Sequence, residues 1–332
     1  MQRATKAVDI AGIQTQPIPV SAWLKKTISS LVGAIRKGDR ITLAKKMVAG
    51  LLPDFILQQV KKLHYARLLK SISADSEPDL KLAEHLARPG SAVLDIGANI
   101  GVYTKFTSAF VGNEGRVYSV EPIPVTCDVL RSNVRKLRLE NVEVINAAVS
   151  DTNGTVTMEV PCYSSGVENF YEAHIVSGNE TTHDGLRHAT VDSRTLDTLF
   201  GDQEEISLIK CDVEGHELSV IRGAAEIIES TSPAWLIEIQ GDPDDAHAPA
   251  HATFKLMREL GYSACWFDGT RIRRRLAGET STNYFFLTQD HLAALQAAGV
   301  PGASYIIAER IRKLRHAGMK MHEDTAPVEM VA

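Results

Sequence analysis

Residues 91–101 read S-A-V-L-D-I-G-A-N-I-G, and the fold turns on that stretch. An apolar run, Ala92-Val93-Leu94, meets a carboxylate at Asp95, breaks at Gly97 and reopens after Gly101 as a helix-compatible segment from Val102 to Val111. That order is strand, tight turn, helix. Glycine supplies the backbone freedom a sharp turn needs, and its missing Cβ lets a ligand lie against the main chain. The helix beyond presents unpaired N–H groups to the same crevice. Taken alone, G-x-N-x-G is compatible with a plain turn, so its surroundings decide.

The next segment, G-R-V-Y-S-V-E at Gly115 to Glu121, reads as a second strand ending in an acid 20 residues after Gly101. Neighbouring strand ends in an open parallel sheet share one crevice, where such an acid accepts both hydroxyls of a ribose diol. The two features together point to a nucleoside ligand. A dinucleotide turn prefers G-x-G-x-x-G, whereas here Asp95 stands two residues before the first Gly and Asn99 occupies the middle. Asp95 would repel a pyrophosphate and attract a cationic ligand. S-adenosylmethionine, with its sulfonium and ammonium groups, meets that demand better than NAD. A third strand is expected over Val142 to Ala147, after which Ala147, Ala148 and the nearby Asp151 stand where such folds meet an adenine edge. Small residues there also serve ordinary packing.

A fourth strand, I-S-L-I-K-C-D at Ile206 to Asp212, carries the chemistry. Its carboxyl end faces the ligand crevice, so Asp212 projects near the reacting centre, and Glu238 near the end of the next strand, Trp235 to Ile239, converges on it. An alcohol of pKa ~15.7 facing a carboxylate of ~3.9 would cost about 16 kcal/mol to deprotonate beforehand. The proton must therefore move as the new bond forms, or a stronger base must help. His216, four residues after Asp212, is the nearest candidate, because imidazole titrates near neutrality. Lys210 alternates onto the same side as Asp212 and is placed to pair with an acid. Glu214 and Glu217 also suit a helix N-terminus. A divalent cation held by Asp212, Glu214 and Glu238 is an open but not favoured alternative, and no metal ligand is assigned.

The motifs D-I-G-A-N-I-G-V-Y-T at Asp95 to Thr104, E-P at Glu121 and Pro122, L-D-T-L at Leu196 to Leu199 and I-K-C-D-V-E-G-H-E at Ile209 to Glu217 resemble those of the FkbM-type, S-adenosylmethionine-dependent methyltransferases. The similarity runs from about Leu80 to Leu287, and the D-V-E-G-x-E block is its most specific piece. It implies a class I methyltransferase fold of the Rossmann-like, doubly wound α/β type, with a mostly parallel seven-stranded sheet. It also implies S-adenosylmethionine as donor and an oxygen acceptor, a hydroxyl on a sugar, glycoside or related small molecule. Under this reading Asp95, Gly97, Asn99, Gly101, Tyr103, Glu121, Ala147, Ala148 and Asp212 bind the donor, while Asp212, His216 and Glu238 serve catalysis. Two alternatives use the same crevice: a nucleotide-dependent oxidoreductase and a non-catalytic S-adenosylmethionine-binding module.

Composition bounds the rest. A chain of 332 residues, 44% hydrophobic and 23% charged, holds one large α/β domain and an appended segment. A net charge of −5 argues against a general nucleic-acid surface. Four scattered cysteines without a C-x-x-C pair fit a reduced, cytoplasmic setting, and no apolar run approaches a membrane span. Residues 1–19 read as a flexible arm, 20–76 as a helical cap or dimerisation segment, 77–290 as the methyltransferase domain and 291–332 as C-terminal helices with a disordered tail. Within the cap, an amphipathic helix over Ser21 to Arg36 fits packing, a homodimer contact or a membrane surface, and further helices are expected over Ile41 to Leu52 and Asp54 to Ser71. Asp151 to Gly154 reads as the turn of a hairpin, and Pro161 to Ala189 as an acceptor-binding loop or solvated insertion. One helix is expected over His216 to Glu229. Arg271 to Arg275 joins the last two strands and either steers an anionic acceptor such as a sugar phosphate or is a solvated turn.

Overall fold

The computed structural model describes residues 54–161, 174–175, 186–202 and 205–308. The chain divides into two units, Met1–His64 and Tyr65–Ala332. Of the first, the described part is the start of helix α1 (Asp54–Ser71), as expected; the arm over 1–19 and the helices expected over 21–36 and 41–52 lie outside the described residues.

The second unit runs α2 (Asp79–Leu86), β1 (Ala92–Ile96), α3 (Val102–Val111), β2 (Arg116–Val120), α4 (Pro124–Leu137), β3 (Val142–Ile145), β4 (Ala148–Val149), β5 (Gly154–Pro161), β6 (His174–Ile175) and β7 (Leu186–Arg194). It continues through α5 (Leu196–Phe200), β8 (Ile206–Cys211), α6 (Glu217–Arg222), α7 (Ala225–Thr231), β9 (Ala234–Glu238), α8 (Pro249–Glu259), β10 (Ser263–Phe267), β11 (Ile272–Arg274), β12 (Asn283–Leu287) and α9 (Gln289–Ala297). Eight strands form the main sheet in the order β3-β2-β1-β8-β9-β12-β10-β11. From β3 to β9 every pairing is parallel; β12 runs antiparallel between β9 and β10, and β11 pairs antiparallel with β10. The chain leaves β1 toward β2 on one side and returns on the other at β8. This reversal opens a crevice above the carboxyl ends of β1 and β8, as the doubly wound class requires.

Helices cover both sheet faces, so the central strands read as continuous apolar runs rather than alternating ones. All residues of β1 and of β8 are buried. One core gathers Leu94, Ile96, Ile209, Trp235 and Phe286; the other gathers Val93, Val117, Leu208, Leu236 and Phe285. Each fully buried large side chain contributes about 1.5–3 kcal/mol, which is the source of a rigid platform for the strand tips.

Four local expectations are corrected. The sheet has eight strands rather than seven, because the arginine stretch contributes the edge strand β11. Asp151 to Gly154 does not close a hairpin: β5 pairs antiparallel with β7, and β4 pairs parallel with the end of β7, giving a second sheet in the order β4-β7-β5-β6. Part of the stretch expected to be an irregular loop is therefore strand, while 162–173 and 176–185 lie outside the described residues. Finally, the helix expected over His216 to Glu229 is interrupted between α6 and α7. A Cβ on Gly223 would lie 2.2 Å from the Ser150 carbonyl oxygen, so the backbone at the break is pressed against the neighbouring strand end.

Candidate active site

The turn after β1 is held from both sides. The N–H groups of Gly97 and Ala98 both donate to the Val120 carbonyl at 2.9 and 3.0 Å, and the Asp212 N–H donates to the Ile96 carbonyl at 3.0 Å. Gly97 has φ +73°, and a Cβ there would sit 1.8 Å from the Asp212 carbonyl oxygen. Only glycine lets the tips of β1 and β8 approach this closely.

These tips floor a cleft of about 600 Å3, open to solvent, that contains Gly97, Asn99, Glu121, Ala147, Ala148 and Asp212. The structure thus brings together six of the residues singled out in the sequence. Apolar side chains absent from that set complete the wall, notably Ile123, Met158 and Val213. Glu121 is 5% exposed. Its two carboxylate oxygens each accept a backbone N–H, from Asn99 at 3.0 Å and from Ile123 at 2.9 Å. Burial nevertheless pushes its pKa up to about 7, against the lowering effect of those two bonds. Asn146 donates to the carbonyls of Glu121 and Pro122 at 2.8 and 2.9 Å, fixing the strand end from below.

Asp95, Gly101 and Tyr103 are not among the lining residues. Asp95 is 1% exposed and lies behind the turn. It pairs in register with Ser119 on β2 and Lys210 on β8, and Thr104 donates to it at 2.6 Å while lying 2.8 Å from the Ser119 hydroxyl. Burial raises its pKa, while Lys210 and Thr104 pull the other way. The sequence showed the acid but not which side of the strand it would take. Gly101, with φ +95°, caps α3 where a Cβ would meet Leu130 at 2.7 Å.

Beyond the cleft lies a charged cluster. Lys210, 4% exposed, sits 2.7 Å from Asp212 Oδ2 and 5.0 Å above the Tyr103 ring. Burial alone would lower its pKa, but Asp212, Asp95 and Glu238 outweigh it and hold the ammonium charged. Burial, followed by the nearby charge of Asp212, pushes the Glu238 pKa up to about 7. Asn283, the cross-strand partner of Glu238, donates to Asp79 Oδ2 at 2.9 Å. Burial raises the Asp79 pKa against that bond, and Asp79 in turn adds to the burial that raises Tyr103's hydroxyl. Asp79, Tyr103, Lys210, Asp212, Glu238 and Asn283 therefore form one polar patch beside the cleft. Asp79 and Asn283 had no signal in the sequence, being 204 positions apart.

His216 is placed elsewhere. Its Nε2 lies 2.9 Å from the Ser150 hydroxyl, outside the cleft lining, and burial lowers its pKa. Glu217 accepts the Gly215 N–H at 2.7 Å at the start of α6, a helix-end role. Glu214 lines the cleft and accepts a bond from Gln240 at 2.7 Å. Among the described residues, no group of three or more His, Cys, Asp or Glu is arranged to hold a metal ion.

The family model for the methyltransferase FkbM domain matches residues 95–264. The chain belongs to the FkbM methyltransferase family. It is an S-adenosylmethionine-dependent methyltransferase, which sets aside the oxidoreductase alternative. Its cleft brings the buried carboxylate of Glu121 and the Cβ-free turn at Gly97 together with the apolar Ile123, Met158 and Val213. This methyltransferase is 26% identical over 234 residues to the hexuronic acid methyltransferase AglP of Haloferax volcanii, covering 68% of this chain and 84% of that one. Among solved structures it is similar to a methyltransferase FkbM from Methylobacillus flagellatus KT, at 18% identity and TM-score 0.38, covering 75% of this chain and 59% of that one. A fibrillarin from Aeropyrum pernix in complex with natively bound S-adenosyl-L-methionine shares 14% identity at TM-score 0.34, covering 60% of this chain and 67% of that one. This chain thus spans less than two thirds of the solved FkbM protein. No described helix is long and apolar enough to cross a membrane.

Proposed function

We propose that this methyltransferase transfers its methyl group to a hydroxyl oxygen of a sugar or glycoside. The observation that carries the reading is the neighbouring pair of carboxyls at the ends of β8 and β9, Asp212 on the cleft wall with Lys210 at 2.7 Å and Glu238 paired in register with Asn283. The name of the Haloferax relative supports a carbohydrate acceptor. When bound, S-adenosylmethionine supplies an activated methyl on a cationic sulfur. The chain's own residues have the remaining tasks. Glu121, its oxygens fixed by two backbone N–H groups, takes the ribose hydroxyls on its free lone pairs. Ile123 and Met158 enclose the apolar ring, and Ala147 and Ala148 leave room for its edge. The Asp212 charge, held by Lys210, complements the donor's positive end.

Glu238 is the group suited to take the acceptor's proton. Its pKa of about 7 lies closer to an alcohol's ~15.7 than an ordinary carboxylate does. Full prior deprotonation would still cost about 12 kcal/mol at about 1.36 kcal/mol per pH unit. The proton therefore passes to Glu238 as the oxygen–carbon bond forms, and alignment of the hydroxyl supplies much of the rate. Neutral polar partners for the neighbouring hydroxyls are at hand in Asn283 and the Tyr103 hydroxyl.

Radiolabelled S-adenosylmethionine and a panel of methyl glycosides and uronic acids provide the test, with Glu238→Gln run in parallel. The reading expects label in at least one acceptor and loss of turnover in the variant with donor binding retained. Donor binding without transfer to any of these acceptors would overturn the carbohydrate assignment and point to another acceptor class.

A further inference from the structure

The arginine run at Arg271 to Arg275 takes no part in the methyl-transfer site, and the structure divides it. Arg271 and Arg273 share one counterion, Asp268, at 3.4 and 2.7 Å. Arg275 is held by Asp244, with an Nη1–Oδ1 distance of 2.6 Å, and lies 5.6 Å from the Phe254 ring centre. Arg274 alternates to the other side of β11 from Arg273 and faces a second cavity of about 690 Å3, open to solvent, between α8 and the β10–β11 edge.

Two more cations reach this cavity from successive turns of α8, Lys255 and Arg258. Among the described residues no carboxylate is within ion-pairing distance of Lys255, Arg258 or Arg274. The one acid in the wall, Asp244, is already matched by Arg275 and by the Gly278 N–H. A surplus of positive charge therefore faces one concave space on a chain whose net charge is −5.

We propose that this cavity is an oxyanion site, taking the phosphate or sulfate group of a small molecule between Arg258, Arg274 and Lys255. Guanidinium forks match the tetrahedral oxyanion in geometry as well as charge. The apolar wall of Phe254, Ala264 and Phe286 receives the uncharged remainder of the ligand. Such a group is anionic and fully solvated, so binding depends on ionic strength.

The test is a thermal-shift and calorimetric titration of the full chain with inorganic phosphate and with glucose 1-phosphate at constant ionic strength, the latter probing the apolar wall. Arg274→Gln and Arg258→Gln are each expected to weaken binding about tenfold, the loss of one charge-assisted contact. Affinity for S-adenosylhomocysteine is retained in both, which shows that they are folded. Tighter binding of glucose 1-phosphate than of phosphate supports use of the wall. A wild type that responds to neither probe, or an Arg258→Gln/Arg274→Gln double variant that responds as the wild type does, overturns the proposal. Exposed Lys255→Gln offers the same reading should a change at half-buried Arg274 disturb β11.

Discussion

Replacing Glu121 with Gln separates the two effects that meet in one carboxylate. In the ligand-free protein the group is buried, and its pKa rises from 4.5 to about 7. At about 1.36 kcal/mol per pH unit this corresponds to about 3 kcal/mol. The folded state binds the proton more tightly than the unfolded chain does. Its contribution to stability is thus fully present below about pH 4.5 and is lost as the pH rises through about 7. Glutamine does not titrate, so the stability difference between variant and wild type should move by about 3 kcal/mol in the variant's favour between about pH 4.5 and pH 8. The offset between the two proteins is a separate matter, because the Gln amide faces one of the N–H groups of Asn99 and Ile123. Donor affinity should move the other way. At about pH 8 the variant lacks a charged acceptor for the ribose hydroxyls, a loss of about 1.5–3 kcal/mol or roughly 10- to 100-fold. Below pH 7 the wild-type carboxyl must first lose its proton, so its own affinity falls toward tenfold per pH unit and the gap closes. Urea melts across the pH range and calorimetry with S-adenosylhomocysteine read both quantities. A stability gap that does not change with pH, or equal donor affinity at alkaline pH, would refute the assignment of Glu121.

Four further outcomes follow from the same geometry. Gly97→Ala forces a Cβ into the Asp212 carbonyl at a left-handed φ; it should cost more than about 3 kcal/mol in denaturant melts and abolish donor binding. Lys210→Met strands Asp95 and Asp212 without their cation, and because Asp212 keeps some exposure the expected loss is about 3 kcal/mol, recovered in part by adding Asp212→Asn. Glu238→Gln should lower kcat about 10²- to 10⁴-fold and remove a rate-limiting ionisation near pH 7 from the pH–rate profile; a profile unchanged in shape would exclude Glu238 as the base. His216→Ala, whose imidazole contacts Ser150 outside the cleft, should change kcat less than about threefold, within what a packing change produces; a loss comparable to that of Glu238→Gln would return His216 to the chemistry.

The central architecture was legible because local and global signals agree there. Val102–Val111 and Asp54–Ser71 have the boundaries their patterns imply. The first is bounded by its own breakers, Gly101 before it and Gly112 after it. What escaped the sequence depends on contacts between distant segments. Ala148 and Val149 pair with Ser193 and Arg194, a register no nearby turn dictates. The break at Gly223 follows from the Ser150 carbonyl, more than 70 residues earlier in the chain. At the site, residue type was readable while direction was not. Asp95 and Glu121 are both acids at strand ends, yet one is sealed behind the turn with Thr104 and the other faces the cleft. The same lesson holds for the arginines, which read as a single charge run and have three different neighbourhoods.

The missing side chain at Gly97 has a wider implication for how this scaffold can change. With the donor turn and the Asp212 backbone in steric contact, neither can be displaced without dragging the other, and the two behave as a single machined joint. If the proposed acceptor site holds, altered acceptor preference is cheapest to reach at Asp79 and Asn283, which are bonded to each other and not to that joint. Laboratory selections for new substrates should accumulate changes there and leave the 97–212 junction untouched.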